Sequence, residues 1–556
     1  MRLSWSSRLA VLGALVRGST GAQEVKNVAI IGAGAAGSSA AYYLQRYAEE
    51  ENLAINITIF EKTDRIGGRS LTVPAYGNES LPVELGASIF VSVNTILYNA
   101  TERFQLPVSE PQRLEKGDIT AIWDGIEFVY QTEDGSSQWW DLAKLFWKYG
   151  LAPYKAKKIV DSMLEQFLKL YEPPLFPFKS LTQRAQDMGL TDFTGITGEQ
   201  GLAQWGINPR FSREILQAAT RVNYASNLAY IHGLETLVSF ATDGAVSVET
   251  GNWRIFEELV RASGSTVYRN TSVASIEAAQ KKTETSSPKY VISTKDANSQ
   301  EVAPEEYGVA FDNIILANPW QFGNIKAGEG VLDRQIDEIP YTRLHVTLFT
   351  SPLKLSPEFF GLKPGSKAPS SVYTTLREDE EPKKGAEGVG STGFYSVSTL
   401  KSVINPKTEK LEYAYKIFSP APVTAEFLSS LLGTKIPDQI ITAKGEGKGE
   451  GKDADTFEPI SWYYPHVFYS YPLELPRVTF EDPIVGDGVY YTSGIESFIS
   501  TMETSALMGK NVARLVADDF AGISRPEKAA SGSDADAPVP VAGEAEGIHA
   551  QPQEEL

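Results

Sequence analysis

From Lys26 onward, short apolar runs alternate with longer amphipathic stretches. Val28-Ala29-Ile30-Ile31 is apolar without interruption, the pattern of a strand buried on both faces. A helical pattern follows from Ser38 to about Glu50, with Ala40, Leu44 and Tyr47 on one face. Ile55 to Phe60 makes a second strand. The same grammar returns later. Trp253 to Ala262 reads as an amphipathic helix, followed by strand-like runs at Thr266–Asn270 and Val273–Ile276 and an apolar run from Phe311 to Pro319. Near the end, Gly488 to Glu496 reads as a strand and glycine turn, and Thr501 to Phe520 as a helix with Met502, Ala506, Val512, Leu515 and Val516 at helical spacing. Strands alternating with helices predict an α/β domain with a parallel sheet. Its pieces fall at 23–105, 246–320 and 481–523. The tracts between them, 106–245 and 321–480, predict a second, α+β domain interleaved with the first. Polar or low-complexity stretches at Gln280–Lys289, about 443–456 and 524–556 read as surface insertions and an acidic tail.

Composition narrows the chemistry. The chain has 556 residues with 51 Lys and Arg against 70 Asp and Glu, a net charge of −19. Such a surface repels phosphodiester backbones, so a nucleic-acid partner is not expected. Cysteine is absent, which excludes disulfides, thiolate metal sites, iron–sulfur clusters and a catalytic thiol. Only four His are present, and no metal site is expected. Redox chemistry would therefore need a non-covalently held organic cofactor.

Residues 1–22 read as a secretory signal, with Arg2 and Arg8, an apolar run from Leu9 to Val16 and small residues at Thr20-Gly21-Ala22. The expected destinations are a lysosome, a vacuole or the extracellular space. The terminal Gln553–Leu556 resembles an ER-retrieval tail only loosely. Asn-x-Ser/Thr sequons occur at Asn56, Asn78, Asn99 and Asn270, and Asn56 falls within a predicted core strand. No stretch suits a membrane span, which leaves peripheral membrane contact open.

The turn after the first strand is Gly32-Ala33-Gly34-Ala35-Ala36-Gly37. Gly32 permits a tight turn, Gly34 lets backbone approach a pyrophosphate, and Gly37 lets the helix pack against the sheet. The helix N-terminus offers free N–H groups and partial positive charge. Glu61 and Lys62 close the second strand, where an acid can accept ribose hydroxyls. A glycine triplet alone is weak. Within strand, turn, helix, strand and acid it predicts a dinucleotide site.

Asp64-Arg65-Ile66-Gly67-Gly68-Arg69 and Glu84-Leu85-Gly86-Ala87-Ser88 resemble segments of the FAD-dependent amine oxidase-like superfamily. That resemblance implies FAD rather than a nicotinamide cofactor. It places Gly67, Gly68 and Arg69 near the pyrophosphate, and Gly86, Ala87 and Ser88 against the flavin. It puts Val273 at the adenine, and Gly494 and Glu496 at the closing helix, whose N-terminus would face the flavin. Glu496 and Glu503 stand unusually close to that end, where one of them could cap the helix or pair with Arg69.

Four segments resemble the prenylcysteine oxidase (prenylcysteine lyase) family more narrowly. They are Arg221–Tyr224, Tyr415–Ser419, Tyr464–His466 and Gly494–Glu496, the last followed by Met502-Glu503 and Ser505-Ala506. Their order covers the chain from about Lys26 to Ala517. Ala225-Ser226-Asn227 departs from the pattern by lacking an expected glycine. The resemblance implies a thioether oxidase acting on farnesyl- or geranylgeranyl-cysteine left by breakdown of prenylated proteins. Hydride would leave C1 of the prenyl group for the flavin, water would add, and cysteine and a prenyl aldehyde would separate. Dioxygen would then take the electrons and yield hydrogen peroxide. Candidate catalytic groups are His466, Glu496 and Arg221, with Arg221 able to meet a substrate carboxylate or to form a structural ion pair. Aromatic clusters at Trp139-Trp140, Phe146-Trp147, Tyr149 and Trp462-Tyr463-Tyr464 could line an isoprenoid groove. The alternative on the same fold is an amine or polyamine oxidase, for which the last cluster would cage a cation.

Overall fold

The computed structural model describes residues 24–110, 117–134, 138–280, 289–299, 303–442 and 458–525. The signal segment 1–22, the insertion 443–456, the acidic tail past Arg525 and most of Gln280–Lys289 lie outside them.

The first strand, β1 (Lys26–Ile31), pairs in parallel with β2 (Ile55–Phe60) on one side and Asn313–Leu316 on the other. Between β1 and β2 runs helix α1 (Ala35–Glu50). The six-stranded sheet runs Ile484–Gly486, Val489–Tyr491, Asn313–Leu316, β1, β2, Thr266–Tyr268. Its pairings are parallel except the edge pair Ile484–Gly486 with Val489–Tyr491. The continuous apolar run of β1 now has its reason. Val28 and Ile30 pack with the helices, including Leu44 of α1 and Leu507 of the C-terminal helix. Ala29 and Ile31 pack on the opposite face with Val273, Ile276 and Ile292 of a four-stranded sheet. Fully burying such a side chain contributes about 1.5–3 kcal/mol.

The C-terminal helix Met502–Ala521 lies against α1 so closely that a Cβ on Gly509 would sit 2.1 Å from the Ala36 carbonyl oxygen. This contact joins the last segment of the chain to the first.

The second domain is built on a seven-stranded sheet ordered Trp462–Pro472, Tyr341–Ser351, Leu411–Ser419, Ser396–Ile404, Ser371–Thr374, Ile119–Trp123, Phe128–Glu133. All its pairings are antiparallel but that of Ser371–Thr374 with Ile119–Trp123. One face packs against helix Ala425–Leu432 through Phe349, Val397, Ile417 and Leu428. The other presents Leu344, Val346 and Leu348 to Leu71, Val73 and Leu85 of the first domain. Helices Ala152–Leu168, Gln217–Tyr224 and Gly233–Phe240 close one end. The two sheets thus meet across the segment that carries Gly67 to Ser88. Asn56, expected in the core, stands at the exposed start of β2, ahead of the run Ile57–Phe60 that is buried on both faces.

Candidate active site

One cavity of about 2580 Å³ lies between the domains. Single small-molecule pockets are roughly 300–1,000 Å³, so this one has room for a dinucleotide and a second molecule. Gly32, Gly34, Ala35, Ala36, Glu61, Lys62, Gly67, Gly68, Arg69, Gly86, Ala87, Ser88, Val273, His466 and Glu496 all line it.

The glycine loop shows why each position is small. Gly32 has φ +105°, and a Cβ there would lie 2.8 Å from the Ala317 carbonyl oxygen. Gly37 faces away from the cavity, and its Cβ would lie 2.0 Å from the Gly32 carbonyl oxygen. Gly34 is different. Its φ of −80° suits any residue, and a Cβ would meet only Gly68 Cα, at 3.7 Å. Nothing in the chain requires glycine there. The space it leaves faces the cavity beside the N-terminus of α1, where no side chain caps the helix. The residues therefore fit the pyrophosphate of a dinucleotide. Glu61 is buried. Its Oε2 accepts from the Ala33 N–H at 2.8 Å, and its Oε1 from the Thr63 N–H and hydroxyl. The carboxylate expected to reach a ribose thus also holds the glycine turn in place.

Arg69 crosses the cavity. Its Nη1 donates to the Ser470 carbonyl at 2.7 Å, and its Nη2 lies 2.7 Å from Glu496 Oε2. The Tyr341 hydroxyl donates to the same oxygen at 3.0 Å. Of the two acids in question, Glu496 pairs with Arg69. Glu503 caps a different helix, accepting from the N–H groups of Ile96 and Leu97 at 2.9 and 3.0 Å and from the Tyr171 hydroxyl. Burial pushes the Glu503 carboxyl up to about 7. The C-terminal helix is capped by Thr501 through Thr504. Gly494 does not line the cavity; a Cβ there would lie 2.3 Å from the Glu481 carbonyl oxygen, so its smallness serves packing.

Lys416 went unassigned in the sequence, although a lysine between Tyr415 and Ile417 in an apolar strand is a visible anomaly. It is buried and lines the cavity. Its Nζ donates to Ser88 Oγ at 2.8 Å and to the Glu84 carbonyl at 3.1 Å, and reaches the Gly86 carbonyl at 3.4 Å. Burial lowers the pKa of this amine and raises that of the neighbouring Glu84 carboxyl. Lys416 therefore tethers the Glu84–Ser88 loop from the opposite sheet. Behind Tyr224, which also lines the cavity, His232, Glu235 and Glu474 are buried together. Burial raises both carboxyls and drives His232 down to about 3. His232 accepts the Glu235 N–H at Nδ1, and its Nε2 is 3.5 Å from Glu474 Oε2.

Two expectations are corrected. Arg221 does not reach the cavity and, among the described residues, forms no ion pair. It is fully buried, and its guanidinium donates to Thr374 Oγ1, Asn227 Oδ1, Thr392 Oγ1 and the carbonyls of Gly388 and Val389. Burial lowers it to about 10, against the weaker pull of Tyr395 and Glu380. Those aromatic clusters named from the sequence whose side chains are described do not line the groove either. Trp462 is buried in the sheet interface, Tyr149 packs on Phe211, and Phe146 and Trp147 point to solvent. The side chains of Trp139 and Trp140 lie outside the described residues. Instead Phe167, Tyr224, Phe240, Phe418, Phe468 and Tyr471 line the cavity with Met163, Leu164 and Val222. His466 lines it too, edge-on to Phe468 at 4.3 Å, its pKa lowered by burial and by Arg65. Ala225 takes the left-handed turn (φ +50°) that ends helix Gln217–Tyr224, where glycine would be unstrained. Among the described residues no cluster of acids and histidines could hold a metal.

A Rossmann-like sheet with a glycine cradle, joined to a second sheet across one shared cavity, defines an FAD-dependent oxidoreductase with an amine oxidase-like fold. Solved structures share that fold. Cyclohexylamine oxidase from Brevibacterium oxydans aligns over 89% of this chain and 99% of its own with a TM-score of 0.50 and 15% identity. A CLA-producing fatty acid isomerase from P. acnes aligns over 88% and 98% with a TM-score of 0.51 and 14% identity. The chain belongs to the prenylcysteine lyase family, which it matches over residues 132–526, while residues 30–104 match an NAD(P)-binding Rossmann-like domain. It is 28% identical to farnesylcysteine lyase of Arabidopsis thaliana over 89% of this chain and 88% of the relative. It is 27% identical to prenylcysteine oxidase 1 of Bos taurus, with 88% of each chain covered.

Proposed function

We propose that this protein is an FAD-dependent thioether oxidase. With dioxygen and water it would cleave farnesyl- or geranylgeranyl-cysteine to a prenyl aldehyde, cysteine and hydrogen peroxide. The observation that carries this reading is that the glycine cradle and an apolar compartment share one cavity. Bound FAD supplies a two-electron acceptor at the thioether carbon. The chain's own work is binding, orientation and exclusion of water. Gly34, Gly68 and the α1 N-terminus would hold the FAD phosphates. Lys416 fixes the Gly86–Ser88 loop, and its buried amine can hold or release a proton at Nζ for the late steps. Met163, Leu164, Phe167 and Phe240 offer a dry surface to an isoprenoid chain. The names of the relatives, farnesylcysteine lyase and prenylcysteine oxidase, support the substrate class. The Trp462–Tyr464 cluster, which could have caged the cation of an amine oxidase substrate, does not line the cavity.

Anaerobic addition of farnesylcysteine should bleach the flavin absorbance, and air should restore it with release of peroxide. No bleaching with any prenylcysteine, or bleaching by spermine or benzylamine instead, would defeat the reading. We also propose an acidic compartment of the secretory route, a lysosome or vacuole, or the extracellular space. The signal-like start and the buried carboxyls with raised pKa support it. Asn99, in an Asn-x-Thr sequon, is exposed and would be open to a glycan on that route. Retention of a fluorescent fusion in the cytosol would overturn this part.

A further inference from the structure

We propose that the corner between helices Gln138–Tyr149 and Ala152–Leu168 docks onto the surface of an anionic lipid bilayer. Four large apolar side chains stand out from this one corner. Trp147 is 92% exposed, Phe146 62%, Tyr154 60% and Leu151 58%. Gly150, at φ +62° with nothing within 4 Å of where a Cβ would sit, forms the tip between the two helices. Isolated exposed apolar residues need no explanation, but a contiguous group does. Trp and Tyr are the residues that settle at the boundary between hydrocarbon and headgroups.

The chain segment that forms this corner carries charge opposite to that of the whole molecule. Between Ala143 and Ile159 there are five lysines, at 144, 148, 155, 157 and 158, and no acid, in a chain of net charge −19. Lys148 is tied to Glu214, and Lys157 lies near Asp161 and Asp243. Lys158 sits over the Tyr154 ring at 5.1 Å. Lysine stems lie along apolar surface while their ammonium groups reach for phosphates. At about 8 Å of Debye screening in physiological salt, a membrane senses this patch rather than the distant acidic surface. A second copy of the chain fits worse, because a two-fold contact would place lysines against lysines.

The corner is also connected to the cavity. Helix Ala152–Leu168 carries Tyr154 at its outer end and the cavity-lining Met163, Leu164, Phe167 and Leu168 at its inner end. At 1.5 Å per residue Tyr154 stands about 14–21 Å along the helix from these residues. Tyr149, beneath the corner, packs toward Tyr130, which lines the cavity. A bilayer held at this corner would stand next to the apolar end of the cavity. The proposal rests on the surface alone and holds whatever the substrate is.

The flavin-loaded protein is sedimented with vesicles of phosphatidylcholine and with vesicles containing 30% phosphatidylserine. The expected result is binding to the anionic vesicles at least several-fold tighter than to the neutral ones. The double variant Phe146→Ser/Trp147→Ser should lower that binding at least tenfold with unchanged flavin absorbance and melting temperature, since both side chains are exposed. Lys155→Glu/Lys158→Glu should remove the preference for phosphatidylserine. Absence of vesicle binding by the wild type, or equal binding by the double variant, would overturn the proposal. A concentration-dependent dimer dissolved by the same substitutions would assign the corner to a second copy instead.

Discussion

Gly34 separates what the fold needs from what the cofactor needs. Alanine at this position should leave the protein intact and cost it FAD. The backbone angles are open to any residue, and the new methyl would meet only Gly68 Cα at an ordinary 3.7 Å. The apoprotein should therefore keep its stability within about 0.5 kcal/mol, or gain slightly from a stiffer unfolded chain. The ligand is affected differently. A methyl group facing the cradle would push a phosphate outward by about 1 Å or more, taking two charge-assisted hydrogen bonds of about 1.5–3 kcal/mol each beyond useful length. Affinity for FAD should then fall roughly 10²- to 10⁴-fold. Gly37→Ala is the contrasting perturbation. Its Cβ would lie 2.0 Å from the Gly32 carbonyl oxygen, so α1 must move off the turn, at an overpacking cost of about 1–3 kcal/mol. The assay is FAD titration by quenching of flavin fluorescence, paired with melting of the apoproteins. Gly34→Ala should lose flavin alone, and Gly37→Ala flavin and stability together. A Gly34→Ala protein that binds FAD within threefold of the wild type would refute the placement of the pyrophosphate.

Arg221→Met should cost about 1–3 kcal/mol, because Asn227 Oδ1, the Gly388 carbonyl and the Val389 carbonyl each keep a second donor, from Gln217, Asn227 and Thr392. The ratio of KM for farnesylcysteine to KM for its methyl ester should be unchanged; a collapsed ratio would restore Arg221 as the carboxylate contact. Lys416→Met removes the donor shared by Ser88, Glu84 and Gly86 and should weaken FAD binding roughly tenfold, with unchanged affinity as the contrary result. Stability should rise as pH falls from 8 to 6.5. The buried Glu84, Glu235, Glu474 and Glu503 hold protons in the folded chain that the unfolded chain has already lost above its carboxylate range, so the folded state binds more protons and gains as pH drops. For Glu503, lifted from 4.5 to about 7, the gain across this window is about 1 kcal/mol. His232 and Lys416 act in the opposite sense within this window, His232 because the unfolded imidazole takes up a proton as pH nears 6.5 and Lys416 because its folded amine is part neutral near pH 8; each offsets about 0.4 kcal/mol, less than the four carboxyls together supply. A melting temperature that is flat or falls from pH 8 to 6.5 would contradict this, and Glu503→Gln should flatten the rise.

The dinucleotide half of the site was legible because its chemistry is local. Strand, turn, helix and acid lie within Lys26–Glu61; Gly37 answers to Gly32 five residues away, Gly32 to Ala317 just past the adjoining strand, and Gly34 to the open cavity. Backbone angle, helix end and close packing are read directly from residue type at that range. The family was legible for a similar reason, as short segments in a fixed order. Periodicity also placed the buried strand β1, since an uninterrupted apolar run fits only a sheet covered on both faces.

What a side chain meets across the molecule was decided only by the tertiary structure. Glu503 caps a helix 407 residues before it, and Lys416 holds a loop 328 residues away. Arg221 draws all but one of its acceptors from residues 374 to 392, the exception being Asn227. Nothing in the spacing of a sequence encodes such distances. The aromatic clusters show the same limit. An aromatic residue satisfies a core, a groove and an exposed corner with the same apolar ring, and only the position of its element decides among them. That is why Trp462 lies in the sheet interface and Trp147 stands in solvent, while the cavity walls come from Phe167, Phe240 and Phe468. The sequence alone determined a cysteine-free α/β chain with an FAD cradle. The meeting of two sheets decided which charges are buried, which acids keep their protons and where the apolar compartment lies.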